Sequence, residues 1–188
     1  MTEISSIVVE EIPVAKRKKS GLRHWMQEAS RLRAAALEDL DEATVHDLRV
    51  ALRRCRAMVQ TIREIDDDPG WQKLNRAARE IFQALGELRD TQVQLLWLQH
   101  LSTGEDILAT RLQGHLQKRE RELRALARQV IEVFDEKRWE KWTEKFPQRL
   151  TKLAGNVLAF EELAQRRLEE IESLDTKAAF ERDEERYH

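Results

Sequence analysis

Apolar residues recur three and four positions apart along most of the chain, and this spacing predicts helices throughout. Leu22, Trp25, Met26, Ala29, Leu32, Ala36, Leu37 and Leu40 define a first amphipathic helix from residue 21 to about 40. Thr44 suits the cap of a second, running to about residue 65, where Asp66, Asp67, Asp68, Pro69 and Gly70 spell a turn. A third is predicted from Trp71 to about Leu101, with Gly86 in its interior, ended by Ser102, Thr103 and Gly104. The fourth spans 105–134 and carries Leu108, Leu112, Leu116, Leu123, Leu126, Val130 and Ile131. Pro147 divides residues 137–154, so two shorter pieces are expected there. A last helix is expected over 158–174. No run alternates with period two, so the fold class is all-α, and short connections favour an antiparallel helical bundle.

The size and composition agree. A chain of 188 residues with 36% charged and 41% hydrophobic residues buries a core without staples. No window approaches the roughly 20 apolar residues of a membrane span, and the first residues lack a signal-peptide pattern, so a cytoplasmic protein is expected. Residues 1–20, with Pro13 and the run from Lys16 to Lys19, read as a flexible arm ahead of a single domain over 21–188. Cys55, the only cysteine, falls on an apolar stripe and is expected in the core. The five tryptophans are expected there too. His24, His100, His115 and His188 show no metal-binding spacing and are expected at the surface or as caps.

Charge is distributed unevenly behind a formal total of −2. From His46 to Arg63 five arginines face one acid, Asp47; from Glu161 to His188 ten acids face five bases. On a helical projection Val45, Leu48, Leu52, Cys55, Val59 and Ile62 form one stripe. His46, Arg49, Arg53, Arg56 and Gln60 form a second beside it, with Arg54 off to the side. Like charges three and four residues apart destabilise a helix, so something negative must compensate. Either carboxylates on neighbouring helices do so or a polyanion does, and guanidinium forks match phosphate oxygens. Arg76, Arg79, Gly86 and Asp90 share a stripe on the next helix, with Arg89 beside it. Gly86 there suggests close approach of another backbone, and Asp90 is a candidate acceptor orienting an arginine or His46. A divalent metal at His46 is disfavoured by its arginine neighbours, which makes an anion-contacting histidine the better reading.

The string from Val45 to Ala57 (Val-His-Asp-Leu-Arg-Val-Ala-Leu-Arg-Arg-Cys-Arg-Ala) resembles the opening signature of the CHAD family, the conserved histidine α-helical domain. Leu85-Gly86-Glu87-Leu88-Arg89-Asp90 resembles its LGxxRD element at the expected distance, and the resemblance covers residues 21–188. It implies two pseudo-symmetric helical bundles whose basic faces border a groove that binds inorganic polyphosphate. It places the family's basic positions on His46, Arg49, Arg53, Arg54, Arg56, Arg79 and Arg89. Lys118, Arg119, Arg121, Arg166 and Arg167 lie in later helices where the family is arginine-rich. A full domain repeats the signature, and Tyr187-His188 stands where the second one would begin, so the chain is expected to hold the N-terminal half and the first helices of the second. An exposed apolar seam and a homodimer are expected to follow.

No P-loop, dinucleotide fingerprint, nucleophile elbow or zinc motif is present, so a binding module without cofactor is expected in place of an enzyme. The partner expected is polyphosphate, including polyphosphate granules, with no membrane. Alternatives are a nucleic-acid binder and an accessory domain of a triphosphate- or polyphosphate-processing enzyme.

Overall fold

The computed structural model describes residues 21–102, 106–153, 162 and 165–169. Six helices follow one another: α1 (Leu22–Glu38), α2 (Glu42–Ile62), α3 (Pro69–Ala84), α4 (Gly86–Leu101), α5 (Ile107–Glu132) and α6 (Glu136–Leu153). No strand occurs among the described residues, and the fold is an all-α bundle. The expected arm at 1–20 and most of the expected helix at 158–174 lie outside the described residues; residues 165–169 are helical.

Aspartates start α2, α3 and α5. Asp41, not Thr44, caps α2: its carboxylate accepts the Thr44 backbone N–H at 2.8 Å, and the Thr44 hydroxyl donates back to it at 3.0 Å. A carboxylate is the stronger acceptor for orphaned amides at the positive end of a helix. The Thr44 amide holds the Asp41 carboxyl below its ordinary value. Asp68 caps α3 through the Gly70 N–H at 2.7 Å, with Pro69 at the first position, where its missing N–H costs nothing. Asp106 caps α5 through Leu108 and Ala109.

Three expectations are corrected. The helix expected from Trp71 to Leu101 is two, because the chain opens at Leu85 and restarts at Gly86, a weak helix former. Leu85 and Leu88, on either side of the break, are both fully buried. In the other direction, α6 runs unbroken through Pro147. Residues on both sides of the proline are anchored to the rest of the bundle: Trp139 and Phe146 are buried, and Arg149 is tied to Asp66. This fixed packing outweighs the lost backbone hydrogen bond. Finally, Gly86 admits no neighbouring backbone, since a Cβ there would meet only the Arg49 Nη1 at 3.5 Å. Gly70 is the glycine under constraint: a Cβ would lie 2.7 Å from the Phe146 ring and 2.9 Å from the Asp68 carboxylate.

The core is continuous. α1 packs on α2, α2 on α3, α4 on α5, and α6 closes over α1. Trp71, Trp139, Phe146, Met26, Leu48, Leu52, Leu74, Ile81 and Ile131 are fully or almost fully buried, and Trp71 stacks on Phe146 with ring centres 4.0 Å apart. The Trp139 indole donates to the Met26 carbonyl at 3.0 Å. The expectation that all tryptophans are internal fails at Trp97, which is largely exposed near the end of α4. Leu108, Leu112 and Leu126 of α5 are exposed as well, because no described element packs on those faces.

A buried carboxylate fastens the α2–α3 turn to α6. Asp66 accepts from the Trp71 indole N–H at 2.8 Å, from Arg149 Nε at 2.5 Å and Nη2 at 2.7 Å, and from the Asp68 backbone N–H at 3.2 Å. Arg149 above all, then the indole and amide donors, hold its carboxyl far below the usual carboxylate range, against the opposing effect of burial.

Because that value is depressed on folding, Asp66 stabilises the fold above its unfolded value of about 3.9 and ceases to do so as the pH falls through the folded one. Asp66→Asn should therefore flatten the acid limb of the stability-against-pH curve measured by urea unfolding. Asp66→Ala should cost about 2–4 kcal/mol at neutral pH by stranding the indole N–H. Gly70→Ala should lower the thermal midpoint clearly, whereas Gly86→Ala should leave it within a degree or two or raise it slightly.

Candidate functional site

α2 sorts its side chains as its pattern predicts. Val45, Leu48, Ala51, Leu52, Cys55, Val59 and Ile62 are buried, and burial pushes the Cys55 thiol up to about 12, which leaves it protonated and inert. With that face committed to the core, the arginines have to lie along the flanks.

One flank of α2 meets α3 and α4. Arg49 donates from Nη1 to the Phe82 carbonyl at 2.8 Å, one of the last carbonyls of α3, which lack partners inside the helix. Its guanidinium carbon also sits 4.2 Å from the centre of the Phe82 ring. Arg56 lies over the same ring at 5.2 Å and donates from Nε to the Asn75 side chain at 3.4 Å. Two guanidinium groups thus share one aromatic ring, held by cation–π attraction and stem packing.

These side chains lie within one another's fields. Burial above all lowers the Arg49 pKa; the charge of Asp90 opposes it, and weaker repulsion from Arg53 and Arg89 adds to the lowering. Burial and then Arg79 lower that of Arg56. Arginine nevertheless stays charged at any working pH. The structure therefore brings together Arg49, Arg53, Arg56, Arg79 and Arg89, with the exposed His46 on the same helix, three residues before Arg49. Arg54 goes elsewhere: it lies over the Trp25 ring at 4.4 Å, on the α1 side. Arg76 also leaves the stripe expected for it and lines a groove of about 400 Å³ with Lys73, Glu80, Phe134, Asp135, Arg138 and Trp142. That groove, bounded by α3, α5 and α6, takes in none of the clustered arginines.

Many arginines outside this cluster are neutralised by carboxylates, although Arg76, Arg121 and Arg128 among the described residues are not. Arg124 pairs with Asp39 and Glu120, Arg119 with Glu87 and Glu122, Arg149 with Asp66 and Asp68, Arg33 with Glu136, and Arg167 with Glu64. In the cluster only Arg89 has such a partner, Glu42 at 2.8 Å. Among the described residues no carboxylate lies within ion-pair distance of His46, Arg49, Arg53, Arg54, Arg56 or Arg79. Of the later basic residues, Arg119 and Arg167 are paired, while Lys118, Arg121 and Arg166 are exposed. No group of three or more His, Cys, Asp or Glu side chains able to hold a metal ion converges among the described residues.

Phe82 and Asn75 escaped the sequence reading. The available signal was an aromatic one position off the buried series Trp71, Leu74, Ala78, Ile81 and Leu85, on the edge shared with Arg79. A polar residue such as Asn75 carries no comparable mark.

An all-helical bundle with a crowded, mostly unneutralised arginine flank is thus the class of protein defined by fold and site. The family model of the CHAD domain matches residues 19–188, and the chain belongs to that family. No curated protein and no solved structure matches it.

Crowding of this kind costs stability, by about 0.2–0.5 kcal/mol for each adjacent pair. Arg53→Gln should accordingly stabilise the free protein by a few tenths of a kcal/mol in urea unfolding at low salt. The gain should shrink at high salt, where the repulsion is screened.

Proposed function

We propose that the protein binds inorganic polyphosphate along the flank of α2, through His46, Arg49, Arg53, Arg56, Arg79 and Arg89, with Arg54 contributing from the α1 side. The observation that carries this reading is the crowding of these guanidinium groups with, among the described residues, an ion-pair partner at Arg89 alone, whereas interhelical arginines such as Arg124 and Arg149 are paired. Repulsion among fixed cations is relieved by a ligand that brings repeated negative charge, and membership of the CHAD family agrees with phosphate-rich ligands. His46 and Arg56 are about 15 Å apart along the helix at 1.5 Å per residue, so a linear polyanion can run beside the cluster. Arg49 and Arg56, steadied by Phe82, keep part of their donor edges for phosphate oxygens.

The site supplies charge and hydrogen-bond donors, without a nucleophile placed beside a base, so we read it as a binding module and not an enzyme. No helix among the described residues is long and apolar enough to cross a membrane. On this reading the protein acts in the cytoplasm, where polyphosphate granules would recruit it.

Titration of fluorescently labelled long-chain polyphosphate tests this. Affinity should fall steeply with salt, since bound phosphates release counterions. Arg49→Ala with Arg53→Ala should weaken binding at least tenfold and reduce the salt slope by about one per lost contact. Phe82→Leu should weaken it less and leave the slope unchanged, because it loosens two arginines without removing charge. Displacement by single-stranded RNA of equal charge would instead favour a nucleic-acid ligand.

A further inference from the structure

The second half of α4 is at odds with the rest of the surface. Residues 91–101 contain no Asp, Glu, Lys or Arg, in a chain in which such residues make up 36%. Only Thr91, Gln92 and Leu95 of this stretch are buried. A helix apolar or neutral all round is characteristically covered on all sides. Here α4 packs chiefly on α5 and more lightly on α2 and α3, while Trp97 and Leu101 stay exposed. At the end of this helix pair Trp97 is 63% exposed, Leu101 76%, Ile107 70%, Leu108 74% and Leu112 48%. A groove of about 360 Å³ runs beside Trp97, lined also by Val93, Leu96, His100 and, at its inner end towards the α2 flank, Arg89. Monomeric proteins seldom expose large contiguous apolar patches, which mark interaction surfaces.

We propose that this α4–α5 tip is a self-association surface that joins two copies of the chain about a two-fold axis. Area and charge single out a second copy as the occupant. The five side chains expose on the order of 600 Å² per copy, near the roughly 800 Å² per partner of a stable interface once a rim is added. Charge depletion at the centre is characteristic of an interface core. The rim carries both signs, with Asp106 and Arg111 both exposed near the start of α5. In a two-fold contact the Asp106 of one copy faces the Arg111 of its partner and the reverse, so the patch complements itself.

Sedimentation equilibrium of the full chain in moderate salt, from micromolar to submillimolar concentration, tests this. A monomer–dimer equilibrium is expected. Leu101→Glu with Leu108→Glu should weaken dimerisation at least a hundredfold while far-ultraviolet circular dichroism stays unchanged, because both side chains are exposed. Val133→Glu, equally exposed at the far end of α5, should leave the dimer intact. Should the double change disturb the helices, Leu112→Gln alone should still weaken the dimer about tenfold. A wild-type chain that stays monomeric throughout, as when another segment of the same chain covers the tip, overturns the proposal. So does a dimer indifferent to the substitutions, or growth into open-ended oligomers.

Discussion

The contact of Asp66 with Arg149 and Trp71 sets the register on which the arginine flank of α2 depends. It fastens the turn between α2 and α3 to α6, and Trp71, donating to that carboxylate, stacks on Phe146 behind the close approach at Gly70. With the first turn of α3 fixed there, the helix runs back along α2 and delivers Asn75, Arg79 and Phe82 to the arginine flank. The chain then opens at Leu85, which leaves the Phe82 carbonyl for Arg49, and α4 brings Arg89 to the same place. A buried ion pair at one end of the bundle thus organises cations more than two helical turns away.

Two uses of arginine coexist in this molecule. On α5 and α6 guanidinium groups bridge helices: Arg124 reaches Asp39, Arg128 donates to the Leu37 carbonyl, and Arg149 grips Asp66. Such residues hold the fold. On the flank of α2 the same side chain is steadied by an aromatic ring and a carbonyl, groups that restrict its motion without cancelling its charge. The repulsion retained amounts to roughly 1–2 kcal/mol, tolerable against a typical stability of 5–15 kcal/mol and recoverable when an anion binds.

Periodicity made much of this visible in the sequence. The division of α2 into a buried stripe and a cationic one follows from a 3.6-residue repeat, and the family signatures at Val45–Ala57 and Leu85–Asp90 marked the same segment. A helical projection gives an angle but no neighbour, and there the reading failed. Arg54 and Arg76 fall within reach of their stripes on a wheel, yet Trp25 and the α3–α6 groove claim them in three dimensions. The break at Leu85 and the passage of α6 through Pro147 depend on tertiary anchoring, by Leu88 in one case and by Phe146 and Arg149 in the other, that local propensity does not contain. Trp97 misled because an apolar residue at helical spacing looks the same whether its cover lies within the bundle or outside it.

The central claim is that the α2 flank keeps its charge for a polyanion. Mapping backbone amide shifts by nuclear magnetic resonance as polyphosphate is added tests it most directly. The account predicts saturable changes confined to residues around His46–Arg56, Arg79–Phe82 and Gly86–Arg89, with α5 from Lys118 to Arg121 unaffected. Changes centred on α5 or on the α3–α6 groove, or no change at low salt, would contradict it.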